Sequence, residues 1–406
     1  MRTNGTATEL PYRETRGANG SSGGARRSET VGRVMRALNA GYAETRSELA
    51  RLLGLDKSTM TYIIGRLLET GVIEEAEHGS ASRRGGRKPV RLVVRNDRIL
   101  AGGIELDGTR YNALVLDNAG SVRLRISDDV PDARDPAVSL FAAYTALVDA
   151  ASAAGLPLFA VGAAVSGIVD PRSGTLIRSD ALELSNVELS SINLTGFRAS
   201  GSPPLIVEND ANCGAWGELH THVHTGADFV YALARYTGEY LGIGFGVAID
   251  GTVYYGRRFR TGEFASAWAT RSRVTQFGIP REQLVRAESD PTVFRDVVAE
   301  FLRSLAPILA LLDPERFVLG GVFRNRVATV LELLATDLRE SYTALVAEQI
   351  PFHAPIWGAD ELVAGAAAMA IEKLFAAPRA GIDEDRSRDK DGVSWDHLFA
   401  AVGADA

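Results

Sequence analysis

The sequence predicts a mixed α/β protein in which a small helical domain with a β-hairpin precedes a larger α/β domain. In the first part, apolar residues recur three and four positions apart in three short segments, which is the spacing of helices that bury one face. From about residue 99, short runs rich in Val, Ile and Leu alternate with helical patterns, which is typical of α/β domains. We therefore divide the chain into a disordered tail (1–27), a first domain (28–95), a second domain (96–377) and a charged C-terminal tail (378–406).

The composition is that of a globular protein. The chain has 406 residues, of which 46% are apolar, enough for two or three domains with their own cores. No run of 18 apolar residues and no signal peptide are apparent, so we expect a cytoplasmic protein that does not contact a membrane. The single cysteine, Cys213, excludes an intramolecular disulfide and a zinc site built from several cysteines.

The charge is unevenly distributed. The whole chain has a formal net charge of −7, yet residues 1–98 hold 18 Lys and Arg against 11 Asp and Glu. The first part is therefore at +7 and the remainder at −14. A basic head on an acidic body is expected where one domain meets a polyanion.

Three short helices are predicted in the basic part. The first begins near Ser28. Thr45 and Glu48 have the T-x-x-E spacing of a capping box and begin the second, which Gly54 ends. Asp56 caps the third. Three phased helices with a glycine-containing turn before the last are typical of a helix-turn-helix.

The polar face of the third helix is the predicted DNA-reading surface. Hydroxyl and phenol groups can bond base edges or phosphates, and cationic side chains neutralise the backbone. The alternative is an ordinary solvated face, which the agreement of phasing, caps and charge disfavours. The predicted DNA contacts are Lys57, Ser58, Thr59, Thr61, Tyr62 and Arg66.

A cationic loop between two β-like runs, Val72–Glu74 and Val90–Val93, predicts a wing. Paired glycines allow its backbone to lie close to DNA, and arginine is favoured in a narrow minor groove. The alternative is a charged loop in solvent. The predicted wing contacts are Arg83, Arg84, Arg87 and Lys88.

The second domain is predicted to alternate strands and helices, and the C-terminal tail to be loose. Within that tail, Trp395, Leu398 and Phe399 could dock as one helical turn. Strands are expected at 99–106, 111–117, 122–127, 159–165, 205–207, 229–236, 244–250 and 316–319, and helices at 136–154, 211–220, 291–312, 325–347 and 359–376.

The stretch from about 28 to 376 resembles the ROK family of repressors, open reading frames and kinases, and specifically its repressor branch. The E-N-D-A-N block at 208–212 is the most specific of the matching motifs. The others are G-I-E-L-D-G-T at 103–109, V-S-G-I-V-D at 165–170, G-E-F at 262–264, and L-D-P-E at 312–315 with L-G-G at 319–321. The resemblance implies an actin-like (ribonuclease H-like), two-lobed sugar-kinase-like fold with a ligand cleft between the lobes, and a homodimer or homotetramer.

The resemblance also implies the cleft residues. A kinase of this fold needs one carboxylate to accept the proton of the attacking sugar hydroxyl, and Asp210 matches that position. The alternative role for Asp210 is the cap of the helix that follows. Asn209 and Glu263 match sugar-contacting positions, with polar turn residues as the alternative, and Ser166 and Gly167 complete the predicted ligand site.

Departures from the kinase pattern predict a sensor with no catalytic residue, in which Asp210 is vestigial. Asp107 stands where kinases have a glycine of the first phosphate loop, and a carboxylate there would repel phosphates. Tyr240 and Leu241 replace the Gly-Thr of the second loop. The family's zinc-binding segment is missing after Phe264, so no metal and no cofactor are predicted.

Three histidines, His220, His222 and His224, suggest a metal site, but no carboxylate or cysteine companion lies at ligand spacing. A polar helix end is the favoured interpretation.

Two hypotheses from different classes follow. The first is a repressor of carbohydrate uptake or catabolism genes that binds double-stranded operator DNA and a small sugar-like effector. The second is an active ATP-dependent sugar kinase with an accessory DNA-binding head. The phosphate loops favour the first. A scaffold that binds no ligand is a third hypothesis, favoured if the cleft is blocked.

Overall fold

The computed structural model of the chain describes residues 23–76, 90–107, 109–132, 135–180, 182–189, 202–221, 228–237, 240–270, 275–336, 350–375 and 393–403. All structural statements concern these residues.

The first domain is a three-helix unit followed by an antiparallel strand pair. Its elements are α1 (Gly23–Asn39), α2 (Arg46–Leu53), α3 (Lys57–Glu69), β1 (Ile73–Ala76) and β2 (Arg91–Val94). The predicted capping box of Thr45 and Glu48 is present, Gly54 ends α2 in the left-handed conformation, and Asp56 accepts from the Thr59 N–H at 2.8 Å. These local contacts orient α3 against α1 and α2 through a buried apolar face.

The start of the first helix was predicted too late. Residues 23–27, assigned to the disordered tail, belong to α1. Its first part carries little apolar periodicity, so the pattern marked only the segment from Val31 onward that packs in the core. Residues 1–22 and the wing tip at 77–89 lie outside the described residues.

The first lobe is built on a five-stranded mixed sheet of order β10-β6-β3-β4-β5. A short 3-10 turn, Asn96–Arg98, leads into it from the first domain. Helix α4 (Pro136–Ala153) packs on one face. The strands are β3 (Leu100–Asp107), β4 (Arg110–Asp117), β5 (Val122–Asp129), β6 (Leu158–Val165) and β10 (Leu205–Asn209).

A small antiparallel sheet of β7 (Ile168–Asp170), β8 (Thr175–Ser179) and β9 (Leu184–Glu188) extends this lobe and was not predicted. Its strands are three to five residues long, which is too short for an alternation pattern to distinguish them from loop.

The second lobe has its own five-stranded sheet of order β13-β12-β11-β14-β15. An aromatic-rich core packs beneath it, including Phe245, Phe264, Phe301 and Phe317. The elements are β11 (Phe229–Thr237), β12 (Tyr240–Ile249), β13 (Thr252–Val253), α6 (Arg281–Leu284), a 3-10 turn (Val285–Glu288), α7 (Pro291–Leu312), β14 (Arg316–Gly321), a 3-10 turn (Val322–Arg326), α8 (Val327–Ala335) and β15 (Phe352–His353).

Two helices join the lobes: α5 (Asp210–Thr221), which packs on β11 and β12, and α9 (Glu361–Phe375), which packs on β3 and β6 after a 3-10 turn at Gly358–Asp360. They approach so closely that a Cβ on Gly365 would lie 1.9 Å from the Cys213 carbonyl oxygen. On the other side of α9, Cβ atoms on Gly103 and Gly162 would lie 2.0 Å from its carbonyl oxygens. Glycine is therefore required where α9 meets α5, where it meets β3 and where it meets β6.

The C-terminal segment contains a packed helix, α10 (Trp395–Gly403), so the prediction of a loose tail is wrong for 393–403. Trp395, Leu398 and Phe399 are buried, as the docking prediction required. Trp395 packs edge-on against Phe375 of α9 and lies beside Gly32 of α1. The first domain, α9 and α10 thus share one continuous apolar core.

Helix α4 is, by length and composition, apolar enough to cross a membrane. In the structure a stripe of Leu140, Ala143, Tyr144 and Leu147 packs on the first sheet. A helix that covers a sheet in a protein core meets the same two criteria.

The α5–α9 contact predicts a large stability effect. Gly365→Ala places a methyl group against the Cys213 carbonyl, and because the neighbour is backbone it cannot turn aside. We expect a loss of about 2–3 kcal/mol in the free energy of unfolding, measured by urea denaturation followed by circular dichroism. Gly65→Ala is the control, because that helical glycine faces open space, and it should leave stability unchanged or raised by up to about 1 kcal/mol. Equal urea midpoints for the two variants would contradict the close packing.

Candidate functional site

Helix α3 presents a polar surface on the side away from its core residues. Lys57, Ser58, Thr61 and Tyr62 are exposed, and Tyr62 retains 55% of its accessible surface. A large exposed phenol beside a cation and hydroxyls is suited to contact a groove and its phosphates. Two of the exposed residues also make local contacts, since the Ser58 hydroxyl donates to Asp56 and the Thr61 hydroxyl donates to the Lys57 carbonyl at 2.8 Å. The structure therefore places four of the six predicted α3 residues on one accessible face.

The other two predicted residues of α3 are half-buried. The Thr59 hydroxyl donates to Asp56 at 2.7 Å, as part of the helix cap. The Arg66 guanidinium lies 4.4 Å from the Phe399 ring centre and 3.4 Å from an Asp396 carboxylate oxygen, both on α10. Sequence reasoning placed Arg66 at DNA because nothing in the local pattern indicates a helix that comes more than 300 residues later. The wing residues Arg83, Arg84, Arg87 and Lys88 lie outside the described residues.

The predicted ligand residues converge where β10 ends and α5 begins. The Asn209 amide donates to the Gly167 carbonyl at 2.9 Å and to Asp210 at 3.1 Å. Gly167 has φ +125°, and a Cβ there would lie 2.5 Å from the Arg178 carbonyl oxygen, so this turn after β6 requires glycine. Ser166 precedes it, half-buried.

Glu263 approaches the same region from the second lobe. Its backbone pairs with that of Gly244 in β12. Gly244 in turn lies close to the start of α5, since a Cβ built on it would be 3.5 Å from the Cβ of Ala211, the residue after Asp210. The Glu263 side chain is exposed, so it is accessible to a ligand. Both lobes therefore contribute to the site.

The helix-capping role belongs mainly to Asn209. Its side-chain oxygen accepts from the Asn212 N–H at 3.0 Å, the contact of an N-cap residue. The only backbone N–H that the described residues donate to the Asp210 side chain is that of the adjacent Ala211, at 2.9 Å, and the same Oδ1 accepts from the Asn209 amide. The Oδ2 atom of Asp210 lies 3.5 Å from the guanidinium of Arg235 in the second lobe. The Asp210 carboxylate therefore does more than cap the helix, which was the alternative role considered for it.

Glu208, the first residue of the E-N-D-A-N block, contacts Asn209 and Asn212 from the buried side of the site. It is fully buried and accepts from Tyr255 at 2.7 Å, from Asn212 at 3.1 Å and from the Asn209 N–H at 2.9 Å, while the Lys373 ammonium lies 3.8 Å away. A buried carboxylate is tolerated when its oxygens are satisfied in this way. The specificity of the motif therefore has a structural cause.

Arg235 is the central residue that sequence reasoning missed. It lies on β11, and its guanidinium is 3.1 Å from Asp107, 3.5 Å from Glu105 and 3.5 Å from Asp210. These carboxylates belong to the first lobe, so Arg235 bridges the lobes. It stands in an apolar strand with no motif around it, and only the three-dimensional approach of the lobes brings its partners together.

The cluster shifts the pKa values of its members. Burial raises the pKa of Glu105 to about 7, against the opposing effect of Arg235. Burial likewise raises the pKa of Asp210, again opposed by Arg235. Although burial lowers the pKa of Arg235, the attraction of Asp210, Glu105 and Asp107 raises it overall. Asp107, predicted to repel phosphates as an isolated charge, is thus paired with a cation.

A cavity of about 680 Å³ opens beside Arg235. Its walls come from the ends of β3 and β11, the 3-10 turn Val322–Arg326 and the start of α9. This volume lies within the usual range for small-molecule sites. The cavity and the Asn209–Asp210 cluster share Arg235.

His220 is a buried polar residue near the end of α5, and its Nδ1 lies 2.8 Å from a Glu372 carboxylate oxygen on α9. His222 and His224 lie outside the described residues. Within the described ranges, no three His, Cys, Asp or Glu side chains are grouped so as to hold a metal ion.

The architecture is a three-helix unit with an antiparallel strand pair in front of a two-lobed α/β domain with a polar interlobe cleft. Residues 101–268 match the family model for ROK, in agreement with the resemblance. The chain also resembles a solved ROK family transcriptional regulator, a homologue of the E. coli MLC protein, with a TM-score of 0.67 over 92% of this chain and 99% of that one, at 17% identity.

Two further comparisons bear on the domain. A putative xylose repressor of Caldicellulosiruptor sp. (strain Rt8B.4) is 29% identical over 226 residues, which span 54% of this chain and 53% of that protein, about half its length. The structure of a ROK family glucokinase from Streptomyces griseus with glucose and AMPPNP matches with a TM-score of 0.51 and 20% identity, over 67% of this chain and 99% of that one. The predicted fold is thereby confirmed.

The raised pKa of Glu105 predicts a pH-dependent stability contribution. Below pH 4.5 Glu105 is protonated in both folded and unfolded chains and costs nothing. As the pH rises from 4.5 to about 7, the unfolded chain ionises first, so the folded state loses up to about 3 kcal/mol relative to it. Glu105→Gln removes this loss.

We therefore expect the stability of Glu105→Gln relative to the parent to increase with pH between 5 and 8. Urea denaturation of both proteins at unit pH steps measures it. A difference between the two that stays constant across this range would show that Glu105 ionises as in the unfolded chain.

Proposed function

We propose that the protein is a sugar-responsive, DNA-binding transcriptional repressor whose kinase-like domain senses a ligand and does not catalyse phosphoryl transfer. The observation that carries the proposal is the single apolar core that joins the helix-turn-helix to α9, the helix whose first residues line the interlobe cavity. A DNA-binding unit packed on a cleft helix is the arrangement that ligand-controlled DNA binding needs. Such a protein works in the cytoplasm.

The DNA contacts are proposed on the accessible face of α3 and on the wing. Lys57, Ser58, Thr61 and Tyr62 would read base edges and phosphates, and Arg83, Arg84, Arg87 and Lys88 would reach the minor groove. Thr59 and Arg66 have weaker support, since both are half-buried and Arg66 contacts α10. A dimer or tetramer would match a palindromic operator.

The effector site is proposed at Asn209, Asp210 and Glu263, with Ser166 and Gly167 shaping the turn beside them. Amides and carboxylates suit vicinal hydroxyls because each can serve two neighbouring oxygens. The resemblance to a putative xylose repressor supports a small sugar as effector and genes of carbohydrate uptake or catabolism as targets.

Arg235 supports a sensor over a kinase. Its guanidinium contacts Asp210, which would activate a sugar hydroxyl, and Asp107, which replaces a phosphate-loop glycine. It therefore lies between the hydroxyl site and the phosphate loop, where a phosphoryl group would have to pass. This contact replaces simple repulsion by Asp107 as the physical reason for lost activity.

The first prediction tests the DNA face. Lys57→Ala should weaken binding to specific and nonspecific duplexes alike and reduce the slope of log affinity against log salt by about 1, because one phosphate contact is lost. Fluorescence anisotropy with a duplex selected from a random pool measures it between 50 and 200 mM salt.

Arg303→Ala is the matched control, because Arg303 is an exposed cation on α7 in the second lobe. It should leave affinity and slope unchanged. Equal slopes for Lys57→Ala and the parent would remove α3 from the phosphate contacts.

The second prediction tests the sensor. Asp210→Ala should abolish the effect of an effector on DNA affinity while leaving effector-free DNA binding intact, because the carboxylate contacts the ligand and not the DNA. D-xylose and other pentoses and hexoses are screened by thermal shift, and the responsive sugar is added to the anisotropy assay. A coupling of about 1–3 kcal/mol corresponds to a 5- to 150-fold change in the parent.

Two outcomes would count against the sensor. A parent-like response in Asp210→Ala would leave Asp210 with a structural role alone. ATP-dependent phosphorylation of the sugar by the parent, lost in Asp210→Asn, would establish the kinase alternative.

A further inference from the structure

The turn that carries Glu263 lies along the edge of β12 that faces away from β11. The Gly262 carbonyl accepts from the Phe245 N–H at 2.9 Å, and Glu263 pairs with Gly244. The fit is close, because Gly262 has φ +95° and a Cβ on it would lie 1.9 Å from the Phe245 carbonyl oxygen. The position of the Glu263 backbone is therefore tied to this edge of β12.

The side chain of Gln276 continues the pairing along the same edge. Backbone groups two residues apart in a strand face the same side, so those of Ile243 face the edge on which Phe245 meets the turn. The Gln276 side-chain amide accepts from the Ile243 N–H at 2.6 Å and donates to the Ile243 carbonyl at 2.8 Å. One amide side chain thus takes the place of a neighbouring strand at Ile243.

The backbone of Gln276 also holds the chain that follows Glu263. Its carbonyl accepts from the Ser266 N–H at 2.8 Å, and the Ser266 hydroxyl lies 3.4 Å from that of Ser304 on α7. Gln276 therefore connects β12 to the segment three residues after Glu263.

The two residues after Gln276 anchor it in the second lobe. Phe277 is fully buried, and its ring centre lies 5.6 Å from that of Phe264. The Gly278 N–H donates to a Glu300 carboxylate oxygen of α7 at 2.6 Å. Gln276 is therefore held from its own side as well, and it can fix the turn in turn.

The composition of this segment does not fit a metal ion. Zinc in proteins is bound by thiolate, imidazole and carboxylate groups. Residues 264–280 contain no Cys, His, Asp or Glu. The ROK resemblance implies a zinc-binding segment after Phe264, and the residues present cannot form one. The contacts of Gln276, Phe277 and Gly278 occupy the same stretch of the chain.

We propose that Gln276 is a positioning residue for the effector, which fixes the Glu263 turn on β12 through hydrogen bonds and without a metal ion. The proposal rests on the proposed sensor function, in which Glu263 and Asp210 contact the effector. Ile243 is buried, so loss of the Gln276 amide leaves a backbone donor and acceptor without partners. The turn would then separate from β12, and Glu263 would move relative to Asp210.

The first test needs no ligand. Hydrogen exchange of the full chain, followed by mass spectrometry, compares the parent with Gln276→Met, whose side chain has a similar length and no amide. Peptides spanning 241–247 and 260–268 should exchange about tenfold faster in the variant, relative to a β11 peptide spanning 229–234, because the edge contacts open locally.

Val330→Ala is the control for general destabilisation. Val330 is fully buried on α8 in the same lobe, so its truncation lowers stability without touching the turn. It should leave the exchange of the two peptides relative to β11 as in the parent. Parent-like exchange in Gln276→Met, or equal acceleration in Val330→Ala, overturns the proposal.

The second test uses the parent alone and examines the metal. Mass spectrometry of the untagged protein measures zinc per chain, and hydrogen exchange of the 260–268 peptide is compared before and after dialysis against EDTA. We expect the exchange to be unchanged. A stoichiometric zinc ion whose removal accelerates exchange in this peptide would overturn the proposal.

The third test concerns the effector. Calorimetry with D-xylose should show that Glu263→Gln and Gln276→Met each weaken binding about tenfold, since a hydrogen bond to a charged group is lost in both. The double variant should bind no more weakly than Glu263→Gln, because Gln276 acts through Glu263. Val330→Ala should bind as the parent does. Additive losses, or parent-like affinity in Gln276→Met, would contradict the positioning role.

The failures of the two proposals are distinguishable. Faster exchange in Gln276→Met, in a parent that binds none of the screened sugars, would support the role of Gln276 in fixing the turn and contradict the sensor function. A sugar that changes the DNA affinity of Gln276→Met as it does that of the parent would overturn the positioning role and leave the sensor function standing.

Discussion

The close approach of α5 and α9 is the constraint on which the rest of the structure depends. One helix packs on the second sheet and the other on the first, so their contact defines how the lobes face each other. The contact exists only because Gly365 leaves room for the Cys213 carbonyl, while Gly103 and Gly162 admit α9 to the first sheet. The contact between the two helices also places Asp210, the first residue of α5, relative to Glu361, the first residue of α9.

The sequence predicted those features whose cause is local. Thr45, Glu48 and Asp56 satisfy backbone groups within three residues, so their caps could be anticipated. The E-N-D-A-N block was recognised by its resemblance to a family motif, and in the structure its buried Glu208 contacts Asn209 and Asn212 of the same block. The contacts of Arg66 and Arg235 could not be anticipated, since the partners of Arg66 come more than 300 residues later and those of Arg235 belong to the other lobe. For α10, the sequence indicated only that Trp395, Leu398 and Phe399 could dock as one helical turn, and not that the segment forms a helix of nine residues.

The cluster around Arg235 changes the electrostatic argument made from sequence. A carboxylate at Asp107 would repel phosphates if it stood alone, but a guanidinium 3.1 Å away neutralises it. Burying several charges is costly, and the cost is offset only when they pair with good geometry. Glu105 carries the residual cost, which is why its pKa rises to about 7. An ion pair between the lobes therefore stands beside Asp210, where the sequence suggested an unpaired carboxylate.

In the proposed function, the same ion pair would connect ligand binding to the first domain. A ligand that occupies Asp210 would alter the attraction between the lobes, and a movement at the α5–α9 contact is the expected response. Interdigitated backbones with no room for a methyl group transmit such a movement as rigid bodies. Phe375 at the end of α9 packs on Trp395, and α10 in turn holds Arg66 of α3. A displacement of α9 would therefore either carry α3 with it or break the contacts of Arg66, and in both cases the exposed polar side of α3 would change its position relative to the rest of the protein.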